Sequence, residues 1–170
     1  MKHIALRAFA EEDLPVLDRF ATEPEVLGAF QWPGFTNPQA RRRRFADDGF
    51  VGDESTALAV TVGGAVAGMA SWEAADRGGP AGGCYEIGLT LLPDHRGHGL
   101  GTKAHRLLVD HLFRFTRTHR LEAFTDADNR AEQRVLEKTG FHREGLMCQV
   151  TWRDGAYRDE VVYALLRTDA

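Results

Sequence analysis

The sequence has few cysteines, no long apolar run and no excess of positive charge. Its two cysteines, Cys84 and Cys148, lack the paired spacing of a zinc site, and a lone pair does not indicate an oxidising compartment. We therefore expect two buried, reduced thiols. Without a run of about 18 apolar residues no membrane-spanning helix is predicted, and a soluble, cytoplasmic protein is expected. The net charge of −4 argues against a general basic field for nucleic acid or an anionic membrane.

What the chain does contain is enough for one hydrophobic core. It has 170 residues, of which 43% are hydrophobic, as is typical of a single globular domain. At this length, folding buries roughly 70% of the surface of the unfolded chain. We therefore predict one domain over residues 1–170. Because the chain is acidic overall, any anionic ligand has to be bound by a local arrangement of groups.

The first half of the sequence predicts a strand, two helices and antiparallel strands. Asn37-Pro38 is typical of a helix start, because asparagine caps free amides and proline fits the first turn. Gly63-Gly64 predicts a tight hairpin turn. The predicted elements are a strand at 3–9, a helix at 11–20, an irregular aromatic loop at 22–38 with a second helix from its end, strands at 56–62 and 65–72, a flexible segment at 78–83 and a strand at 85–92.

The second half contains the clearest helical pattern of the chain. Apolar residues recur at helical spacing from Leu100 to Phe115, as on the face of a long helix packed on a sheet, and His111 falls on that face as a predicted core residue. A strand at 121–125, a helix at 129–138 ended by Gly140, and a hairpin turning at Asp154-Gly155 follow. The pattern predicts an α/β domain with a mixed, mostly antiparallel sheet and helices on both faces.

One segment between a strand and the long helix is suited to an anion. Its glycines let backbone N–H groups converge at the start of the helix, and Lys103 and Arg106 add positive charge. Each hydrogen bond to a charged group contributes about 1.5–3 kcal/mol, against about 0.3–1 kcal/mol for the helix field, so the amides should dominate. We predict a pyrophosphate site formed by Arg96, Gly97, His98, Gly99, Leu100, Gly101 and Thr102.

Two other phosphate-binding motifs are candidates for this segment. A Walker A loop requires Gly-Lys-Ser/Thr, but here Gly101 is followed by Thr102 and then Lys103. A dinucleotide fingerprint is a closer match, since Gly99, Gly101 and Ala104 fit GxGxxA. That motif should follow a strand directly within a parallel array, whereas antiparallel hairpins precede it here. A dinucleotide-binding oxidoreductase therefore remains as an alternative.

The stretch Arg96-Gly97-His98-Gly99-Leu100-Gly101 is similar to the Q/RxxGxG/A signature of the GCN5-related N-acetyltransferases (GNAT). The likeness spans most of the chain. Four further groups of residues resemble the ribosomal-protein-alanine (RimJ/RimL-type) branch of that superfamily: Leu6-Arg7 with Glu12-Asp13, Glu23-Pro24-Glu25-Val26 with Trp32-Pro33, Asn129 with the stretch from Val135 to Phe141, and the terminal hairpin.

The resemblance implies the GNAT fold and a reaction with acetyl-CoA as co-substrate, without a metal. It implies direct transfer of acetyl to a primary amine, either a peptide N-terminus or a small molecule, in a ternary complex. Two central parallel strands would splay apart, and the pantetheine arm would pair with the freed backbone of Leu89, Thr90 and Leu91, as a strand edge allows. Apart from the resemblance, a homodimer formed through the final hairpin is a further expectation.

The resemblance also implies roles for single residues. Glu86 would be the general base, and the Leu91 amide would stabilise the oxyanion. Asn129 would cap its helix and contact the pantetheine arm. No proton donor for the thiolate can be assigned, because the family's tyrosine and serine positions hold Leu136 and Glu132. A non-catalytic acyl-CoA-binding module or sensor therefore remains a second alternative.

Several other residues are candidates for the acceptor side. Phe30 and Trp32 lie in the aromatic loop and could form a wall of the acceptor site, and Glu23, Glu25 and Glu86 would favour a cationic substrate. The cluster at 41–44 is predicted to be a solvated helix face, although it could instead bind an acidic substrate or a phosphate. His95 and His98 bracket Arg96 but lack the further ligands that a zinc site requires.

Overall fold

The computed structural model describes residues 3–77 and 83–170, so the predicted flexible segment at 78–83 lies outside the described residues except for Gly83. Within these ranges, no helix is long and apolar enough to cross a bilayer. The strands are β1 (Ile4–Arg7), β2 (Ser55–Val62), β3 (Ala65–Ala74), β4 (Cys84–Leu91), β5 (Arg120–Asp126), β6 (His142–Arg153) and β7 (Ala156–Leu166). The helices are α1 (Leu14–Thr22), α2 (Pro24–Leu27), α3 (Pro38–Asp48), α4 (Leu100–Phe115) and α5 (Arg130–Lys138).

The seven strands form one mixed sheet in the order β1-β2-β3-β4-β5-β7-β6. Its neighbours are antiparallel except for β4 and β5, which run parallel and pair over three residues only. The last residue pair between β4 and β5 is that of Glu86 with Glu122. Beyond it the two strands separate, so the predicted splay of the central parallel strands is confirmed.

Two clusters of buried side chains cover the two faces of the sheet. On one face, Leu108 and Leu112 of α4 pack against Ile87 and Leu89 of β4. On the other, α1 packs over β2, with Leu17 and Phe20 against Ala57 and Ala59. Because alternate residues of a strand point to opposite faces, Glu86 and Gly88 lie on the α1 and α3 side of β4.

The helix cap at Asn37 and the turns at Gly140 and Asp154-Gly155 are formed as the sequence predicts. The Asn37 side chain accepts a hydrogen bond from the Gln39 amide at 2.9 Å, which fixes the start of α3. Gly140 has a φ of 92°, and Asp154 and Gly155 have φ values of 49° and 74° in the terminal turn. These positive angles favour glycine, or aspartate in a turn.

Four expectations from the pattern are wrong in detail. The loop predicted at 22–38 contains the short helix α2. Cys84 is buried, but Cys148 is exposed because it lies on the edge strand β6. Phe115 is 69% exposed at the end of α4. His111 is only half-buried beside the rings of Trp72 and Phe115, and the buried histidine of α4 is His105.

Candidate active site

The site is centred on the fork between β4 and β5. The Leu92 amide donates to the Ala67 carbonyl at 2.8 Å, and the Cys84 carbonyl accepts from the Ala75 amide at 3.1 Å, so even-numbered residues of this strand bond towards β3. Because polar backbone groups alternate in direction, those of Leu89 and Leu91 point towards β5, where pairing has ended. The fork therefore presents the backbone groups of Leu89 and the Leu91 amide to a ligand, while the Leu91 carbonyl accepts a hydrogen bond from Arg96 at 2.9 Å.

The glycine-rich segment lies at the end of this fork. Gly97 and Gly99 have φ values of 77° and 72°. A Cβ atom added to either glycine would have no described atom within 4 Å, apart from its chain neighbours. Gly99 directly precedes α4, so its conformation presents the amides at the helix N-terminus to that open space. The local geometry is therefore that of an anion site made by the backbone.

A cleft of about 520 Å³ joins the fork to this segment. Most of the predicted cofactor-binding residues line it together: Leu89, Thr90, Leu91, Arg96, Gly97, Gly99, Gly101, Thr102 and Asn129. His98 and Leu100 do not line the cleft, since His98 is exposed and Leu100 begins α4. The cleft is apolar along β4 and rich in backbone N–H groups at its other end, as a molecule with a pyrophosphate and an amide-containing arm requires.

The Arg96 side chain contributes to this cleft in a way that the sequence did not indicate. Its guanidinium donates to the carbonyls of Leu91 at 2.9 Å, Glu25 at 3.2 Å and Val26. Burial lowers the pKa of this guanidinium. Arg96 thus joins the end of β4 to α2, and its side-chain hydrogen bonds are directed to protein carbonyls.

Replacing Arg96 with methionine should therefore loosen α2 from β4. Three carbonyls would lose a charged donor, which we expect to lower stability by about 1–2 kcal/mol and the melting temperature by about 2–8 °C. Thermal denaturation followed by circular dichroism measures this change. Arg43→Met is the control, because Arg43 is exposed on α3. Equal melting temperatures for Arg96→Met and the wild type would contradict the proposed tie.

Asn129 and Glu132 position the other wall of the cleft. The Asn129 Oδ1 accepts from the Glu132 amide at 3.3 Å and its Nδ2 donates to Thr125 Oγ1 at 3.0 Å, so the predicted cap on α5 is confirmed. Glu132 lines the cleft, and its Oε1 lies 2.8 Å from Nε2 of His105, which is fully buried on α4. The pattern of the sequence did not single out His105.

Glu73, Glu86 and Glu122 lie side by side on β3, β4 and β5, and Glu86 differs from Glu122 in its partners. Glu122 is buried and is bound by Arg77 at 2.5 Å and Arg120 at 2.6 Å, which neutralises its charge. Glu86 is half-buried and has no hydrogen bond or ion pair with the described residues. Burial, and then the nearby carboxylate of Glu73, raise its pKa above the ordinary glutamate value. An unpaired carboxylate with a raised pKa at the fork is suited to accept a proton.

The predicted acceptor residues are not all in one place. Phe30 lines the main cleft and lies 5.3 Å from the guanidinium of Arg153. Glu25 and Trp32 line a smaller neighbouring cavity. Glu86 lines a third cavity, on the α3 side of the sheet, and Glu23 is paired with Arg19 at 2.8 Å. The three glutamates therefore do not form a single binding site for a cationic acceptor.

The arginine cluster on α3 is not uniformly solvated, contrary to the prediction. Arg42 pairs with Asp18, and Arg44 donates to the carbonyl and hydroxyl oxygens of Ser55 at 2.9 and 2.8 Å. Arg41 and Arg44 line the same cavity as Glu86. Of the four arginines, Arg43 is exposed and the others are half-buried.

Comparison with known families agrees with this geometry. The model of the Acetyltransferase (GNAT) domain family matches residues 3–142. The chain belongs to the GNAT family. The dinucleotide-binding alternative is therefore wrong, and the fold explains why: the described residues contain a single parallel strand pair, flanked by antiparallel strands, and no parallel array.

Other GNAT proteins resemble the chain in sequence or in fold. The probable N-acetyltransferase YjcK of Bacillus subtilis is 41% identical over 83 residues, which are 49% of this chain and 46% of that protein. The matched segment thus spans about half of that relative. RimL, a ribosomal L7/L12 alpha-N-protein acetyltransferase solved with coenzyme A, superimposes with a TM-score of 0.82 at 23% identity, covering 96% and 93% of the two chains.

A spermidine N-acetyltransferase from Vibrio cholerae, solved with coenzyme A and spermine, superimposes with a TM-score of 0.85. Its sequence identity is 15%, and the match covers 98% of this chain and 96% of that one. At this identity the likeness shows a shared fold. Proteins of this one fold therefore act on different amines, and the acceptor of this GNAT chain has to be inferred from its own residues.

Proposed function

We propose that this GNAT chain is an N-acetyltransferase that moves acetyl from acetyl-CoA directly to a primary amine. The observation that carries the proposal is the fork of β4 and β5 opening beside the glycine-rich start of α4. Amides between Gly97 and Thr102 would bind the pyrophosphate. The Leu89 carbonyl and the Leu91 amide would pair with the pantetheine arm, whose two amides match the alternating donors and acceptors of a strand edge.

The transfer requires a neutral nucleophile and a stabilised oxyanion. The amine nitrogen forms a bond to the thioester carbonyl carbon, and the carbonyl electron pair moves to oxygen. When that pair returns, the carbon–sulfur bond breaks and the thiolate leaves. The proton lost by the amine passes to the Glu86 carboxylate through water. No residue of the chain forms a covalent intermediate.

The backbone of β4 offers two donors for the oxyanion, Leu89 and Leu91. A strand rises about 3.3 Å per residue, so Leu91 lies about 16 Å along β4 from Glu86 and Leu89 about 10 Å. A glutamate side chain and one water can bridge the shorter separation. We therefore place the oxyanion at the Leu89 amide and the pantetheine arm at Leu91, a refinement of the role expected for Leu91.

The thiolate needs no dedicated acid on this chain. Leu136 is fully buried, so the position of the family's tyrosine does not face the cleft. A thiol with a pKa near 8.5 leaves as a moderately stable thiolate that water can protonate. Glu132, held by His105, faces the cleft as a hydrogen-bond acceptor for an amide of the pantetheine arm.

Three further expectations belong to this proposal. Phe30 in the cleft, with Trp32 and Glu25 in the smaller neighbouring cavity, would contact parts of the acceptor beyond the reacting amine. The protein would act in the cytoplasm. It would form a homodimer through its terminal hairpin, which is supported by the exposed side chains of Leu146, Val150 and Trp152 on the edge strand β6.

The test is release of free CoA from acetyl-CoA across a panel of primary amines, detected with a thiol reagent. We expect amine-dependent release with at least one acceptor and formation of the N-acetyl product in equal amount. Binding of acetyl-CoA without release, across small amines and peptide N-termini alike, would instead identify an acyl-CoA sensor.

A further inference from the structure

Arg41 is a half-buried cation with no counter-ion among the residues that the structure describes. Other arginines near the sheet are paired with carboxylates, such as Arg77 with Glu122 and Arg153 with Asp126. Burial lowers the pKa of the Arg41 guanidinium, and the positive charge of Arg44 lowers it further. A charge partly removed from water without a partner is costly to the fold. Such an arrangement indicates an anionic ligand.

The cavity that Arg41 lines also contains the proposed general base. It has a volume of about 270 Å³ and is lined by Arg41, Glu73 and Glu86, with the hydroxyl-bearing residues Ser55 and Ser71. Arg41 and Glu86 form no ion pair with each other. The cavity therefore presents a guanidinium without an ion-pair partner and the carboxylates of Glu73 and Glu86, on a scale suited to a small molecule.

The neighbouring Arg44 does not share this property. Its guanidinium is held by Ser55, lies 3.5 Å from Asp48 and stacks on the Phe50 ring at 5.4 Å. It is therefore part of the structure, whereas Arg41 has its donors available. Both residues come from α3, whose position fixes one wall of the cavity.

The phosphates of CoA do not account for Arg41. The cleft is lined by Leu89, Thr90 and Leu91 of β4, whereas this cavity is lined by the preceding residues Glu86, Ile87 and Gly88, and the two share no lining residue. These residues follow one another along β4, so an occupant of the cavity would lie near the thioester end of the fork. The carboxylates of Glu73 and Glu86 suit an amine, and Arg41 adds to the same cavity a cation that suits an acidic group.

We propose that the acceptor is a small primary amine that also carries a carboxylate, such as an amino acid, with its amine at Glu86 and its carboxylate at Arg41. This proposal rests on the acetyl-transfer function above. A guanidinium binds a carboxylate through two parallel hydrogen bonds, so Arg41 would orient the acceptor as well as attract it. The occupant would also supply the missing counter-ion.

The test compares amino acids with their carboxamides, which keep the size and lose the charge. Glycine, β-alanine and 4-aminobutyrate are each paired with their amide, and kcat/KM is measured by CoA release. We expect the wild type to prefer the carboxylate in at least one pair by about 10- to 100-fold. Arg41→Gln should reduce that preference to about 3-fold or less, mainly through KM, with unchanged affinity for CoA. Dividing the acid-over-amide preference of the wild type by that of Arg41→Gln cancels any difference in basicity between the two amines of a pair.

Two further variants complete the experiment. Arg43→Gln removes an exposed arginine from the same helix and should keep the wild-type preference. Arg41→Lys keeps the charge without the planar fork and should give an intermediate preference. Equal rates with acids and amides in the wild type, or a preference unchanged in Arg41→Gln, would overturn this inference and leave acetyl transfer standing. No CoA release with any amine would overturn both.

Discussion

Glu86→Gln should lower kcat by about 10²- to 10⁴-fold while leaving the affinity for CoA unchanged. The substitution preserves the shape of the side chain and removes its ability to accept a proton. Glu86 is half-buried and unpaired at the last bonded residue of the fork, whereas Glu73 lies opposite it on β3, one strand further from the fork. Glu122, the residue of β5 that pairs with Glu86, is held by two arginines. The measurement is steady-state CoA release together with a CoA titration.

The pH dependence separates a base from a structural residue. Burial and the carboxylate of Glu73 raise the pKa of Glu86, so the acidic limb of the rate profile should lie above the ordinary glutamate range. Glu86→Gln should abolish that limb. A profile of unchanged shape, with merely reduced amplitude, would contradict the assignment.

The stability of the same variant should change in the opposite direction to its activity. A raised pKa means that folding disfavours the ionised carboxylate, so Glu86 costs stability once the pH rises above the unfolded value of about 4.3. Glu86→Gln should therefore be no less stable than the wild type at pH 7. Any stability gain should vanish as the pH falls below about 4. Thermal melts at several pH values check this, and a less stable variant at pH 7 would argue for a structural role.

Gly68→Ala should disrupt the fork and weaken CoA binding by more than about tenfold. A Cβ atom on Gly68 would lie 2.2 Å from the Thr90 carbonyl oxygen and 2.9 Å from the Leu91 Cα, which are both backbone atoms. Strands β3 and β4 approach so closely at Gly68 that β4 has to move for any side chain to fit. Thr90 and Leu91 line the cleft, so the displacement acts on the binding site itself. We expect a loss of about 1–3 kcal/mol in stability as well.

Gly145→Ala is the matched control for that variant. Gly145 also lies in the sheet, but the nearest atom to an added Cβ would be a side-chain methyl of Val162 at 3.4 Å, which is ordinary contact. It should therefore bind CoA as the wild type does. Titration calorimetry with CoA measures both variants, and equal affinities for Gly68→Ala and Gly145→Ala would show that β4 tolerates the displacement.

The order of elements was predictable because it depends on local signals. Apolar spacing identified α4 over Leu100–Phe115, and Asn37 and Gly140 marked helix ends through their capping chemistry. The glycine-rich segment was likewise local, since its function depends on backbone freedom at positions near one another in sequence. The exposed Cys148 was missed because alternation alone does not tell an edge strand from a central one.

The polar contacts of the site were less predictable because they join residues far apart in the chain. Arg96 was expected to face a pyrophosphate, but its donors reach carbonyls of α2 some 70 residues earlier. The partnership of His105 with Glu132 depends on how α4 packs against α5. The free guanidinium of Arg41 becomes visible only when the partners of its neighbours are known. Helical periodicity carries no information about such pairings.

A crystal structure of the chain with CoA tests the central claim most directly. The account predicts pyrophosphate oxygens within hydrogen-bond distance of the amides between Gly97 and Thr102, with the pantetheine arm inserted between β4 and β5 along Leu89 and Leu91. The thiol should end near Glu86. CoA bound elsewhere, or β4 and β5 hydrogen-bonded to each other beyond the Glu86–Glu122 pair, would contradict it.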